Sequence, residues 1–242
     1  MNLVIDAGNT AVKLAVFDVK TRVNLIAIGY DEVTSGLKTI FDTYPKISSI
    51  LLSVVGPWVL READWLPGHC TLYFLDSQLK LPYKMAYGTP ETLGKDRMAL
   101  AAAAISEYPN QNVLVIDAGT CITYDLVTAD GVYLGGAISP GMRMRYTAMH
   151  EGTSALPKLD PEIPEELIGA STIDGMHSGV VNGIRFEIEG VVQQYQTRFS
   201  DLTVILTGGD AQFLSKQLKN TIFAHSNFLL QGLNFLLEYN KS

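Results

Sequence analysis

The sequence predicts a two-lobed α/β fold built by duplication, and three observations predict it. The first is a repeat: Leu3-Val4-Ile5-Asp6-Ala7-Gly8-Asn9-Thr10 near the start and Leu114-Val115-Ile116-Asp117-Ala118-Gly119-Thr120 in the middle. The second is that each copy opens a series of three strand-like runs joined by short polar turns. The third is size and composition: 242 residues, 47% hydrophobic and 18% charged, enough for two lobes of roughly 100–120 residues each. Each repeated stretch is an apolar run of buried-strand length, ending in an aspartate, a small residue, a glycine and a hydroxyl. Glycine lets the backbone turn sharply and approach something closely. Free N–H groups and a hydroxyl suit phosphate oxygens, and the carboxylate beside them suits a cation. One such turn is ordinary turn chemistry. Two, one in each half, point to a nucleotide clamped between the halves.

In the first half, Ala11–Asp18 reads as a second strand, Asp18–Thr21 as a turn and Val23–Tyr30 as a third strand. Ser35 is placed to cap a helix running to about Tyr44. Ser49–Val55 is a buried strand closed by Gly56-Pro57, Pro57 opens a short helix through Leu66, and Cys70–Leu75 is another strand. The order βββαβαβ defines a ribonuclease-H-like lobe. Leu81–Pro90 is irregular. Gly94-Lys95-Asp96-Arg97 then leads into an alanine-rich helix, the strongest helix former in the chain.

The second half repeats the opening, with strands at 112–117, 122–128 and 132–137. After Gly135-Gly136-Ala137-Ile138-Ser139-Pro140-Gly141, a helix covers 142–150. A long helix is expected from Thr172 to Phe199, with Gly175, Gly179 and Gly183 on one face. Each interior glycine costs about 1 kcal/mol against alanine, so a closely packed neighbour is expected there. Leu202–Leu206 is a strand ending in Thr207-Gly208-Gly209-Asp210. A helix from Ala211, a strand at 222–224 and a helix from Phe228 follow. The lobes are placed at 1–109 and 110–242.

The formal net charge of −7, with no basic run, argues against nucleic acid and anionic membrane as partners. Two cysteines, Cys70 and Cys121, imply no disulfide framework. Without a basic leader or a bilayer-length apolar span, the expectation is a cytoplasmic protein.

None of the three glycine turns, at Gly8, Gly119 and Gly208, matches a Walker A loop or a dinucleotide fingerprint. Phosphoryl transfer needs cation-bridged phosphates, a positioned acceptor hydroxyl and a carboxylate near it. Asp6 and Asp117 are placed to supply the cation site. Lys13 reads as a phosphate contact or as a solvated strand residue. Asp96, starting the alanine helix, reads equally as a base or as an acid complementing the helix dipole. Arg97 reads as a bidentate clamp on an acceptor's carboxylate or as a surface arginine. The four histidines show no ligand spacing.

Taken together, four blocks resemble the type III pantothenate kinases over nearly the whole chain: Asp6–Thr10 with Lys13, Gly94-Lys95-Asp96-Arg97, Asp117–Thr120 with Asp125, and Gly135–Gly141. The turns alone fit the wider superfamily of acetate and sugar kinases, heat-shock chaperones and actin, whereas the second and fourth blocks are far more specific. The resemblance implies ATP-dependent phosphorylation of pantothenate to 4'-phosphopantothenate, with ATP in the cleft between the lobes. It implies that Asp6, Ala7, Gly8, Asn9, Thr10, Ala11, Val12 and Lys13 line the ATP phosphates, as does Thr120. Asp96 would take the proton of the pantothenate hydroxyl. Tyr87, Gly94, Lys95, Asp96, Arg97 and Thr172 would bind pantothenate. Asp117 would hold a monovalent cation, K+ or NH4+, and Asp6 a divalent cation such as Mg2+ through water. A homodimer is implied, the second subunit completing the pantothenate pocket. Lys95 and Cys121 stand where the family usually has small residues, and Gly88-Thr89 where it often has acidic or amide ones. Two other readings share these residues: a non-catalytic regulator of the same fold, or another small-molecule kinase or phosphatase of the superfamily.

Overall fold

The first strand, β1 (Asn2–Ala7), is buried at every position, because it is central and apolar. In this computed structural model, which describes residues 1–9, 11–55, 65–76, 78–218 and 222–241, the chain groups into two compact units, Met1–Glu107 with Asn227–Ser242, and Tyr108–Ser226.

In the first unit β1 pairs antiparallel with β2 (Val12–Asp18) and parallel with β4 (Ser49–Val54). β3 (Thr21–Ile28) and β5 (Thr71–Phe74) complete the order β3-β2-β1-β4-β5. The helix placed from Ser35 begins at Val33 (α1, Val33–Thr43), with Glu32 at the cap. Ser35 instead donates back to the Glu32 carbonyl at 2.9 Å, a bond that a serine inside a first helical turn can make. Leu37 and Ile40 of α1 pack on Leu3, Ile5, Leu14 and Ile50, the apolar stripe of an amphipathic helix on one face of a sheet. The helix expected from Pro57 falls mostly on 57–64, outside the described residues.

A two-residue strand, β6 (Lys84–Met85), precedes α2 (Lys95–Glu107). The alanines of α2 are fully buried. Propensity explains that they form a helix, and packing explains why they carry no larger side chain. The last helix, α7 (Phe228–Asn240), lies against them with Gly232 so close that a Cβ there would overlap the Ala99 carbonyl. This helix–helix contact groups the C-terminal segment with the first unit, which a single cut at residue 110 does not describe. Buried Asn234 accepts from Asn2 Nδ2 at 2.7 Å and donates to the Val19 carbonyl at 2.8 Å, so α7 is also tied to β1 and to the β2–β3 turn.

The second unit repeats the topology. β7 (Val113–Ala118) pairs antiparallel with β8 (Cys121–Val127) and parallel with β10 (Thr203–Thr207). β9 (Val132–Pro140) and β11 (Ile222–Ala224) flank them, giving β9-β8-β7-β10-β11. β9 continues through the glycine block expected to follow it. Gly136 is needed there because a Cβ would overlap the Tyr124 carbonyl of β8. The helices are α3 (Met142–Glu151), α4 (Thr172–His177), α5 (Gly183–Gln196) and α6 (Ala211–Ser215).

The long helix expected over 172–199 is one continuous helical run from Thr172 to Gln196: α4, a π-helical segment at Ser178–Asn182, and α5. Among the described residues, a close neighbour along its glycine face is found at Gly175 alone, whose N and Cα lie where a Cβ on Gly169 would fall. Added Cβ atoms at Gly175 and Gly179 would meet nothing within 4 Å, and at Gly183 only an Arg145 nitrogen at 3.9 Å. The glycines instead accompany the switch to wider π turns, a local irregularity often found at functional positions.

Candidate active site

β1 delivers Asp6 to the end of the first sheet, opposite Lys13 on β2 and Ser53 on β4. Asp6 is 8% exposed. Burial pushes its carboxyl above its ordinary value; Lys13 pulls it down and Asp96 adds to the rise. The charge of Asp96, 90 positions away in sequence, therefore reaches Asp6 within this unit. The turn after β1 is closed by the Gly8 N–H donating to the Ala11 carbonyl at 3.1 Å. Ala7 and Val12 are fully buried and Lys13 is exposed, while Thr10 lies outside the described residues. An added methyl at Gly8 would meet, among the described residues, only the Ala11 oxygen at an ordinary 3.6 Å. Among the described residues no packing demands a glycine there; a ligand approaching the turn would.

Tyr30, which sequence reasoning missed, donates its hydroxyl to the Gly8 carbonyl. Burial and then the nearby Asp6 charge push this phenol above its ordinary value. Only the three-dimensional path of β3 brings it to the turn.

Gly94-Lys95-Asp96-Arg97 forms the start of α2. Asp96 Oδ1 accepts the Arg97 backbone N–H at 2.8 Å. The carboxylate folds back over Gly94, where a Cβ would press on it. Arg97 is 4% exposed, not a surface arginine. Its guanidinium lies 5.6 Å over the Tyr87 ring, a cation–π arrangement that joins two of the expected substrate residues. Lys95 is half-buried.

In the second unit Asp117 is held between Thr123 of β8 and Thr207 of β10. Gly208, at φ +98°, runs so close that a Cβ would overlap Asp117 Oδ1 and the Ala118 carbonyl. Gly141 does the same at the Gly119 and Thr120 carbonyls, and donates its N–H to the Thr120 oxygen at 3.1 Å. The block ending in Gly141 and the turn at Gly208 thus buttress the Asp117–Thr120 turn from two sides. An added Cβ at Gly119 would meet, among the described residues, nothing nearer than 3.8 Å, an ordinary contact like the one at Gly8. Asp125 is fully buried and accepts from Tyr133 at 2.6 Å, a bond that ties β8 to β9, and from Thr123 of its own strand at 3.0 Å. Asp210, also missed, has its carboxyl raised by burial, against a lowering by Arg143. Thr172 is the exposed first residue of α4, behind a Ser171 cap that accepts from the Asp174 N–H at 3.2 Å. Beside it lies a cavity of about 300 Å³ with Glu162, Glu166, Asp174 and His177 on its wall.

Among the described residues no three acidic, histidine or cysteine side chains gather into a metal cage. Asp6 fits a different mode: Mg2+ commonly uses one or two carboxylates together with substrate phosphates and water. A cation there would offset the cost of its burial. No helix among the described residues is long and apolar enough to cross a membrane.

Two mixed α/β units of one topology, each with Asp-Ala-Gly at the end of its central strand, define a duplicated ribonuclease-H-like protein. Solved structures agree on the fold. A Baf family protein from Campylobacter jejuni superposes with a TM-score of 0.63 at 19% identity over 99% of this chain and 98% of that one. Glucokinase from an Antarctic psychrotroph gives 0.54 at 12% identity over 98% of both. Residues 2–194 match the model of the type III pantothenate kinase family. The type III pantothenate kinase of Christiangramia forsetii is 49% identical over the full length of both chains. The chain belongs to the type III pantothenate kinase family, enzymes that phosphorylate pantothenate in coenzyme A biosynthesis.

Proposed function

We propose that this chain transfers the γ-phosphoryl group of ATP to the primary hydroxyl of pantothenate, with Asp96 as the base. The observation that carries the assignment is the effect of the Asp96 charge on Asp6: the expected base lies within electrostatic reach of the turn expected to hold the phosphates. In this reading Asp6 to Lys13 and Thr120 receive the phosphates through backbone N–H groups, the Lys13 ammonium and hydroxyls. Gly94 to Arg97, Tyr87 and Thr172 hold pantothenate. Arg97, kept flat by the Tyr87 ring, pairs with its carboxylate. Asp96 accepts the hydroxyl proton as the oxygen attacks phosphorus, and ADP departs. A divalent cation at Asp6 and K+ or NH4+ at Asp117, when bound, supply charge neutralisation to the phosphates. We assign the active form to a homodimer in the cytoplasm, its second subunit completing the pantothenate pocket.

The test is ADP release from ATP and Mg2+, measured with pantothenate, ribose, acetate or no acceptor. Release that depends on pantothenate is expected. Equal release with ribose or acetate would assign another kinase of the superfamily, and no release under any condition would favour a regulator.

A further inference from the structure

We propose that Tyr30 is a positioning residue for the nucleotide. By anchoring the Gly8 carbonyl, it orients the Gly8–Asn9 peptide so that the Asn9 N–H faces the ATP phosphates. The proposal deepens the kinase reading and rests on it.

The argument begins with the peptide bond. A trans peptide is planar, and its C=O and N–H point in opposite directions. The described residues contain no cis peptide. The Tyr30 hydroxyl donates to the Gly8 carbonyl, so that oxygen is drawn toward Tyr30 and the next N–H, that of Asn9, points the other way. Without such an anchor a glycine peptide in a turn flips readily, because Gly populates both signs of φ at little cost. A flipped peptide would present an oxygen, not a hydrogen, to the phosphates. An acceptor facing an anion is repulsive where a donor would bind it.

The anchor itself is well supported. Tyr30 packs against the cluster formed by Leu3, Leu14 and Ile40. It opens the short 3-10 turn Tyr30–Glu32, directly before α1. Its ring is therefore held by the core while its hydroxyl reaches the turn. Asp6, two residues before Gly8, affects the Tyr30 hydroxyl electrostatically, which together with the hydrogen bond to Gly8 places the phenol among the groups around the expected phosphate site.

Tyr30→Phe removes the hydroxyl and keeps the ring. We expect the dissociation constant of a non-hydrolysable ATP analogue to rise about tenfold, as for loss of one oriented hydrogen bond. The dissociation constant of adenosine and the KM for pantothenate should stay within about twofold. A purely structural role would lower Tm and leave the ratio of ATP-analogue to adenosine affinity unchanged. An unchanged ratio overturns the proposal, even with wild-type kinase activity confirmed. Loss of pantothenate-dependent ADP release in the wild type would instead remove the kinase reading. Should the variant fail to fold, the wild-type chain serves. Its Asn9 amide proton should shift and exchange more slowly when the ATP analogue is added, and an Asn9 amide indifferent to the analogue overturns the proposal.

Discussion

The two units end their central strands in the same three residues, yet they treat the following turn differently. In the second unit, Gly141 and Gly208 press backbone directly against Asp117, Ala118, Gly119 and Thr120. In the first, the Gly8 turn has no such buttress among the described residues; its own Gly8–Ala11 backbone bond and the Tyr30 hydroxyl hold it. The electrostatics diverge as well. Asp6 is a buried carboxyl raised chiefly by desolvation. In the second unit Glu187, though burial alone would raise it, is lowered overall by hydrogen bonds from Arg145, Ser139 and Tyr124. Duplication thus preserved the strand order and the Asp-Ala-Gly signature, but among the described residues one turn is pressed by neighbouring glycine backbone and the other is anchored by a side-chain hydroxyl. Substitutions should therefore damage stability in the second unit and activity in the first.

The largest expected effect sharpens that division. Asp96→Asn should lower kcat by about 10²–10⁴-fold, the usual worth of a positioned general base, with an unchanged Tm and ATP affinity. Wild-type turnover by this variant would remove Asp96 as the base. Gly94→Ala probes the same carboxylate from behind: the new Cβ meets the movable end of Asp96, so turnover should fall with little change in thermal stability.

Next comes a matched pair of glycines. Gly208→Ala places a Cβ on backbone and forces alanine to φ +98°. Overpacking and left-handed strain together should cost about 3 kcal/mol, read as a lower midpoint in chemical denaturation. Gly8→Ala meets only one oxygen at 3.6 Å, so its stability should change by less than about 0.5 kcal/mol. Its KM for ATP should rise at least about tenfold as the methyl enters the approach to the turn. If Gly8→Ala destabilises as much as Gly208→Ala, the two turns are equivalent and the contrast fails.

How much of this was legible in the sequence follows from the range of the interactions involved. The duplicated strands were legible because burial and period are local properties of β1 and β7. The start of α2 was legible because an alanine run has one dominant preference. The π-helical segment at Ser178–Asn182, inside the long helix, was not: Gly175, Gly179 and Gly183 share a helical spacing, and spacing cannot distinguish a packed glycine face from glycines that accompany a π segment. The grouping of α7 with the first unit depends on Gly232 meeting Ala99, more than 100 residues apart in sequence, which no local pattern encodes. Among site residues, Asp6, Asp96 and Arg97 stood out through motif. Tyr30 did not, because its role comes from where β3 ends relative to the first turn. The exposed or buried state of Arg97 was equally open until Tyr87 was seen beneath it.

The smallest effect tests the electrostatic side of the contrast, and its sign is the informative part. The folded pKa of Asp6 lies above its ordinary value of 3.8, with burial the largest cause. The folded chain therefore keeps the proton longer than the unfolded chain does. Stability then falls as pH rises through the window between the two values, and the ionised carboxylate is a net cost at neutral pH. Asp6→Asn removes that titration, so its Tm should exceed the wild type's at pH 7. The gain should shrink on acidification and vanish below about pH 3.8, provided both proteins remain folded there. Glu187 has the opposite shift, so the stability it contributes is present above its ordinary value and is lost as pH falls through its lower folded value. Glu187→Gln should accordingly lower Tm at pH 7 and matter progressively less in acid. Thermal melts of both variants across this range, without nucleotide or divalent cation, decide the matter. If Asp6→Asn melts below the wild type at pH 7, Asp6 belongs to the scaffold as Glu187 does. If it melts above, the first turn holds a carboxylate that its own fold would be more stable without, as expected of a group kept for a cation or phosphate-bearing ligand.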